Sequence, residues 1–324
     1  MQLISMTKFS FPPLSAGPPS CRNWYQELLD DPGCHGNPVW EDTKVVKWIT
    51  DDLQTRVQEA YETHRDTWRA KQFQLFSTTD TNPVTPDQAL IKHLARQKKL
   101  SSGQNPVDKD DTDVQEINCC VIWARPPTVV LDAIQKIQNH LLELVGNDLY
   151  PIPRADLHLS VIELSHRHTV PQLRNVLDQI GSSRIQDILD QVSTLSTKPE
   201  LVSPTVSFDR MGIALNYLPS DGNPYTYHHL RSDMHAMALE SGVKIDMCYT
   251  APSAHITIGR FIDNQFFETA EARAKFVDLV KEFNKVQVRE QDGWVVGENE
   301  GLEVQLGYLK FGRESSKADL VGKV

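Results

Sequence analysis

Apolar positions recur at helical spacing between about residues 40 and 75. Val45, Trp48, Ile49, Leu53, Val57, Tyr61, His64 and Trp68 follow one another mostly at three- and four-residue steps, the face of a long amphipathic helix. Thr81, Asn82, Pro83, Thr85 and Pro86 end it, and residues 88–100 form a second, short and basic helix. Residues 101–113, SSGQNPVDKDDTD, read as a linker. Residues 1–38 open with Pro, Gly and Ser and carry few periodic apolar positions, so an extended or poorly ordered segment is expected there.

Beyond the linker the period changes repeatedly. Residues 117–124 (INCCVIWA) read as a buried strand closed by Pro126-Pro127, and Val129 to Val145 as a helix stopped at Gly146. Residues 157–164 form a strand, 170–192 a helix and 205–215 a strand region. Residues 227–240 form a helix stopped by Gly242, 254–261 a strand, 270–288 a helix and 303–311 a last strand, with 314–324 as a tail. The succession strand, helix, His-bearing strand, helix thus occurs twice, over 117–192 and 205–288. This predicts an internal duplication of two α/β lobes, about 114–200 and 201–313, behind an N-terminal helical extension and linker at 39–113.

The two histidine strands carry the chemistry. In Asp156-Leu157-His158-Leu159-Ser160-Val161-Ile162, a period of two puts His158 and Ser160 on one face and the apolar residues on the other. In Ser253-Ala254-His255-Ile256-Thr257-Ile258-Gly259, His255 and Thr257 share a face in the same way, 97 residues further on. Each half supplies an imidazole, able to move a proton near neutral pH, and a hydroxyl able to hold a phosphate oxygen. Two facing units would grip a phosphate from both sides, one imidazole activating the nucleophile and the other protonating the leaving oxygen. This chemistry calls for neither metal nor cofactor.

Net charge narrows the partners. The chain carries 33 Lys and Arg against 43 Asp and Glu, a net −10, and is acidic both before and after Asp113. It is therefore not expected to grip long nucleic acid by neutralising the backbone. No apolar run is long enough to span a membrane, and the N-terminus lacks the continuous apolar core of a secretory signal. Five cysteines with no CxxC pair read as reduced thiols, hence a cytoplasmic or nuclear expectation.

The pair His158-Leu159-Ser160-Val161 and His255-Ile256-Thr257-Ile258 resembles the duplicated H-x-[S/T]-x signature of the two-histidine (2H) phosphoesterase superfamily. The resemblance spans roughly residues 114–313 and leaves 1–113 unexplained. It implies a bilobal α+β fold of duplicated lobes, with antiparallel-rich sheets around a central cleft. It also implies metal-independent opening of a cyclic phosphodiester, such as a nucleoside 2′,3′-cyclic phosphate or an RNA end. By the same resemblance His158 and His255 form the acid–base pair, and Ser160 and Thr257 bind phosphate oxygens. Arg260 adds a cation, although its strand parity is opposite to that of His255, so reaching the cleft requires a bulge or a strand end. The first motif has Leu164 at the matching place. A nucleotide-sensing module that keeps the cleft without turnover is the alternative, and recruitment of the fold to non-phosphate chemistry is a third.

Other residues are weighed beside these. Tyr249, six before His255, leads the aromatics that could stack a base, with Tyr150, Phe208, Tyr217 and Tyr308 behind it. His166 and His168 read as a polar strand end rather than a metal pair, with Arg167 as a rim cation. His228, His229 and His235 read as helix-surface histidines, and Arg96, Lys98 and Lys99 as a solvated face.

Overall fold

The alternating segments beyond the linker form nine strands among the described residues, every pair antiparallel, with helices packed around them. The computed structural model describes residues 21–30, 43–78, 80–103, 118–246, 251–285, 293–307 and 320–324. The helices are α1 (Trp24–Asp30), α2 (Thr43–Thr78), α3 (Gln88–Ser101), α4 (Thr128–Val145), α5 (Val170–Ile180), α6 (Ser182–Thr194), α7 (Tyr227–Leu239) and α8 (Ala270–Lys285). The strands are β1 (Asn118–Ala124), β2 (Leu149–Pro151), β3 (Leu159–His168), β4 (Glu200–Phe208), β5 (Gly212–Pro219), β6 (Ala254–Phe261), β7 (Trp294–Val295), β8 (Glu303–Gly307) and β9 (Leu320–Val321). The fold is α+β. No helix among the described residues is long and apolar enough to cross a membrane.

The sheet runs β7-β4-β5-β6-β3-β1-β8-β9, with β2 on β6 beside β3. The two histidine strands are therefore neighbours at its centre. Their apolar residues, Leu159, Val161, Ile256 and Ile258, join Ile134, Ile137 and Leu141 of α4 and Phe276, Val280 and Phe283 of α8 in one continuous core.

Several elements differ from the periodicity-based reading. The helix expected over 170–192 is two helices, because Gly181 adopts φ 91°, a left-handed conformation that ends α5 and opens α6. The strand region at 205–215 is a hairpin. Asp209 accepts from the backbone N–H of Met211 and Gly212 at 2.7 and 2.8 Å, turning β4 into β5 where apolar alternation alone runs straight on. Gly212 has no room for a side chain, since a Cβ would lie 2.6 Å from the Gly259 carbonyl oxygen and 2.9 Å from Arg260 Cδ. The tail supplies β9, paired to β8. The linker expected at 101–113 begins instead as the last turn of α3, and from residue 104 it lies outside the described residues.

The N-terminal segment expected to be extended carries α1. Its Tyr25 is fully buried and meets His228 and His235 of α7 edge-on, at ring-centroid separations of 5.7 and 5.6 Å. Those histidines are buried, not on the helix surface, because α1 covers the face on which they stand; His229 instead accepts from the Thr226 N–H in the capping box of α7. His228 donates its Nε2–H to the Tyr25 carbonyl at 2.8 Å, so its Nδ1 accepts from the Tyr61 hydroxyl of α2 at 2.8 Å. Truncating such an aromatic typically costs about 3–5 kcal/mol. Tyr25→Ala is therefore expected to lower the urea midpoint of the whole protein substantially, and an unchanged midpoint would show that residues 21–30 do not belong to the fold.

Candidate active site

The site is built on the β3–β6 pair. Leu159 stands opposite Ile256 in an antiparallel register, which puts His158 across from Thr257 and Ser160 across from His255, with roughly 4.5–5.5 Å between facing Cα atoms. Along both strands these four residues are partly exposed while Leu159, Val161, Ile256 and Ile258 between them are buried. By this register the four positions mark out a square on one side of the sheet, each histidine facing the other strand's hydroxyl residue.

Each imidazole is oriented from behind. His158 Nδ1 lies 2.7 Å from the Asp156 carbonyl oxygen, which can only accept, so the proton is on Nδ1 and the lone pair on Nε2. The ring stacks on Trp123 of β1 at a centroid separation of 3.6 Å and an interplanar angle of 5°. His255 Nδ1 is 2.9 Å from the Ser253 hydroxyl. Burial pushes His158 down to about 3, aided by Arg125 and, where it is protonated, by His255. Burial likewise pushes His255 down to about 4, with Arg260 and Arg231 adding to it and Asp209 opposing. Both are neutral at physiological pH, in a field made by arginines that would favour an entering anion.

Arg260 reaches this side of the sheet. Between Ile213 and Ala214 of β5 the partner on β6 moves from Gly259 to Thr257, so Ile258 is an extra residue, a β-bulge. It reverses the alternation, leaving Ile258 and Gly259 both buried and turning Arg260 into the cavity that His255 and Thr257 line. Arg260 Nη1 lies 3.8 Å from Asp87 Oδ2, and Asp87 caps α3 by accepting from the Leu90 N–H.

That cavity, about 340 Å³, lies between the sheet and α2. His255, Thr257, Arg260, Ser207, Asp209 and Asn216 line one wall, and Tyr61, His64, Arg65 and Trp68 of α2 the other. His158 and Ser160 are not part of its lining; they stand across the β3–β6 pair, beside Trp123 and Arg125. Arg125 is held by Glu303 through two 3.2 Å contacts and donates to the carbonyls of Ala155 and Leu157, at the approach to His158. Sequence reasoning missed the α2 contribution. Its one signal is His64, a polar residue set in the apolar stripe.

The remaining sequence candidates divide. Phe208 and Tyr217 line the cavity but are buried, and Tyr150 pairs with Arg260 across β2 and β6. Tyr249 and Tyr308 lie outside the described residues. His166 and His168, at the end of β3, both contact Asp246, His168 through a 3.1 Å contact to its carboxylate. Between them Arg167 has φ 57°. Among the described residues no group of three or more His, Cys, Asp and Glu side chains is placed to hold a metal ion. Lys98 and Lys99 are exposed at the end of α3.

Behind the site lies Arg231 of α7, 2% exposed. Its Nε donates to the Val161 carbonyl of β3 at 3.0 Å, and its Nη1 to the carbonyls of Ala251 and Ser253, just ahead of β6, at 3.2 and 3.4 Å. It also donates to the hydroxyls of Tyr61 and Tyr25 at 3.1 and 2.9 Å. Models of known protein families and curated proteins were compared with the chain, and none matches.

Four histidines are held neutral by burial: His158 and His228 at about 3, His235 and His255 at about 4. Unfolded, each takes up a proton near 6.5, so the unfolded chain binds more protons between these values and 6.5. The stability they contribute is complete above pH 6.5 and is lost as pH falls toward 4 and then 3. The urea midpoint is expected to fall steadily from pH 7 to pH 4, and less steeply for His228→Gln. A midpoint constant between pH 7 and 5 would contradict the burial of neutral histidines.

Proposed function

We propose that the protein is a metal-independent phosphodiesterase that opens a cyclic phosphodiester, a nucleoside 2′,3′-cyclic phosphate or an RNA end carrying one, and that it is a two-histidine phosphoesterase in fold and mechanism. One observation carries this reading. The antiparallel β3–β6 pair sets Leu159 opposite Ile256, a register that brings the two H-x-[S/T] units side by side, the position of each histidine opposite that of the other unit's hydroxyl residue. A duplicated ancestry belongs to this reading, with β5 and β4 outward of β6 and β1 outward of β3, although β8, expected in the second lobe, joins the β1 side of the sheet.

In this mechanism the phosphate lies over the square, its non-bridging oxygens held by Ser160 and Thr257, with Arg260 compensating charge. One imidazole accepts a proton from water as the water oxygen bonds to phosphorus. The opposite imidazole, protonated, gives its proton to the ribose oxygen as the P–O bond breaks. One water is consumed and a phosphomonoester is formed. Asp156 and Ser253 act as positioning residues through the Nδ1 atoms, keeping both Nε2 atoms toward the phosphate.

A second reading is a nucleotide-binding module without turnover. It is favoured by the low proton affinity of both imidazoles, which leaves the empty site without a proton donor at neutral pH. An anionic phosphate between them raises that affinity, so the enzyme reading requires substrate-assisted protonation.

Phosphorus NMR of the protein with 2′,3′-cyclic nucleotides in EDTA separates the two. Wild type is expected to open the ring, while His158→Ala and His255→Ala each lose about 10²–10⁴-fold in rate. Nucleotide binding without ring opening would establish the module instead. Turnover should also depend on pH: kcat/KM falls as pH rises across the neutral range, because the protonated imidazole becomes rarer above about pH 4. A rate that rises toward alkaline pH would overturn the two-imidazole mechanism.

A further inference from the structure

Tyr61, His64, Arg65 and Trp68 stand at helical positions i, i+3, i+4 and i+7, one face of α2. The helix is anchored on both sides of this stretch. On one side Tyr61 is fully buried against His228 and Arg231. On the other, Phe76 packs on Phe208, Phe267 and Phe276, with ring centroids 4.7–6.0 Å apart. Arg65 adds a 2.8 Å bond to the Ser203 carbonyl of β4. Between the anchors α2 bridges a gap in the packing, and that gap is the 340 Å³ cavity containing His255, Thr257 and Arg260.

Trp68 stands apart on this wall. Phe208 and Tyr217 face the same cavity at 3% and 2% exposure, already packed by Phe76 and Trp294, whereas Trp68 is 41% exposed. Trp68 thus keeps accessible surface on this wall that a bound ring would cover. Lys71 Nζ lies over one face of that ring, 5.5 Å from its centre, which adds positive charge and leaves the other face for stacking. The opposite wall offers the polar groups of Asp209, Asn216 and Ser207. The volume is at the small end of ligand pockets, room for one nucleoside and not for a run of nucleotides.

We infer that this cavity is a nucleoside subsite, in which the base of a nucleotide whose phosphate lies over His158 and His255 stacks on Trp68 of the N-terminal helix. The inference rests on the phosphodiesterase reading for where the phosphate lies. It adds that α2, outside the stretch that bears the histidine motifs, supplies part of the binding site, and that the substrate enters as a single base from the His255 side.

Calorimetric titration of the full chain with adenosine 3′-monophosphate, uridine 3′-monophosphate and inorganic phosphate tests it. Trp68→Ala is expected to weaken both nucleotides about tenfold, within what stacking one base on an aromatic side chain contributes, and to leave the affinity for inorganic phosphate unaltered. Trp68→Phe should recover most of the loss. With 2′,3′-cyclic nucleotides, Trp68→Ala should raise KM more than it lowers kcat. Because Trp68 is exposed, its truncation should not unfold the protein, which thermal melts would check. Nucleotide affinity equal in wild type and Trp68→Ala, or wild type binding nucleotide no more tightly than phosphate, would overturn the inference. Binding that depends on Trp68 without ring opening would uphold the subsite and remove the enzyme reading. Ring opening that needs both histidines but is indifferent to Trp68 would do the reverse.

Discussion

A guanidinium removed from water must find partners for its donors, and in this protein that requirement ties the molecule together at Arg231. Its hydrogen bonds end on β3, on the segment leading into β6, on α1 and on α2. The partners are mainly backbone carbonyls and tyrosine hydroxyls, whose positions are set by the chain path and by packed rings. The Arg231 side chain also lies over the Tyr25 ring at 4.1 Å. Shifting either histidine strand, or lifting α1 or α2, would strand part of a buried charge. The N-terminal helices are thus part of the same polar core as the strands that carry the motifs.

The same cation bears on the chemistry. Arg231 and Arg260 both disfavour a proton on His255, and Arg125 does the same for His158. A net charge of −10 would repel an anion at long range, but the local arrangement of arginines, hydroxyls and neutral imidazoles is suited to receive one. Two features bring Arg260 to the cavity. The bulge at Ile258 turns its side chain to the partly exposed side of the sheet, and the absence of a side chain at Gly212 leaves space for its stem. Without the bulge it would point into the apolar core, as strict alternation predicts.

Much of this was legible before any tertiary contact was known. The helix face from Val57 to Trp68, the strand over 254–261 and the sharing of a face by His158 with Ser160 and by His255 with Thr257 follow from local periods of 3.6 and 2. The breaks were harder to read. Gly181 interrupts a helix whose apolar pattern continues through it, and the Asp209 turn interrupts an alternation that carries on beyond it. His228 and His235 stand seven residues apart on one helical face, a spacing that says nothing about whether another element covers that face. α1 covers it, with Tyr25 against both rings and Leu28 buried beside it, in a short helix with little periodicity of its own.

The sequence by itself determined which side chains share a face, because side-chain direction depends on each residue's own backbone angles. It also determined the chemistry on offer: two imidazoles, each with a hydroxyl two residues away. Only the tertiary structure decided that the two strands lie side by side and antiparallel, that a bulge turns Arg260 toward them, and that α2 walls the space beside His255. Those outcomes depend on contacts between residues far apart in the chain, such as Leu159 with Ile256 and Tyr61 with Arg231. Their free energies come from burial and from satisfying the donors of Arg231, which no local pattern of apolar and polar residues encodes.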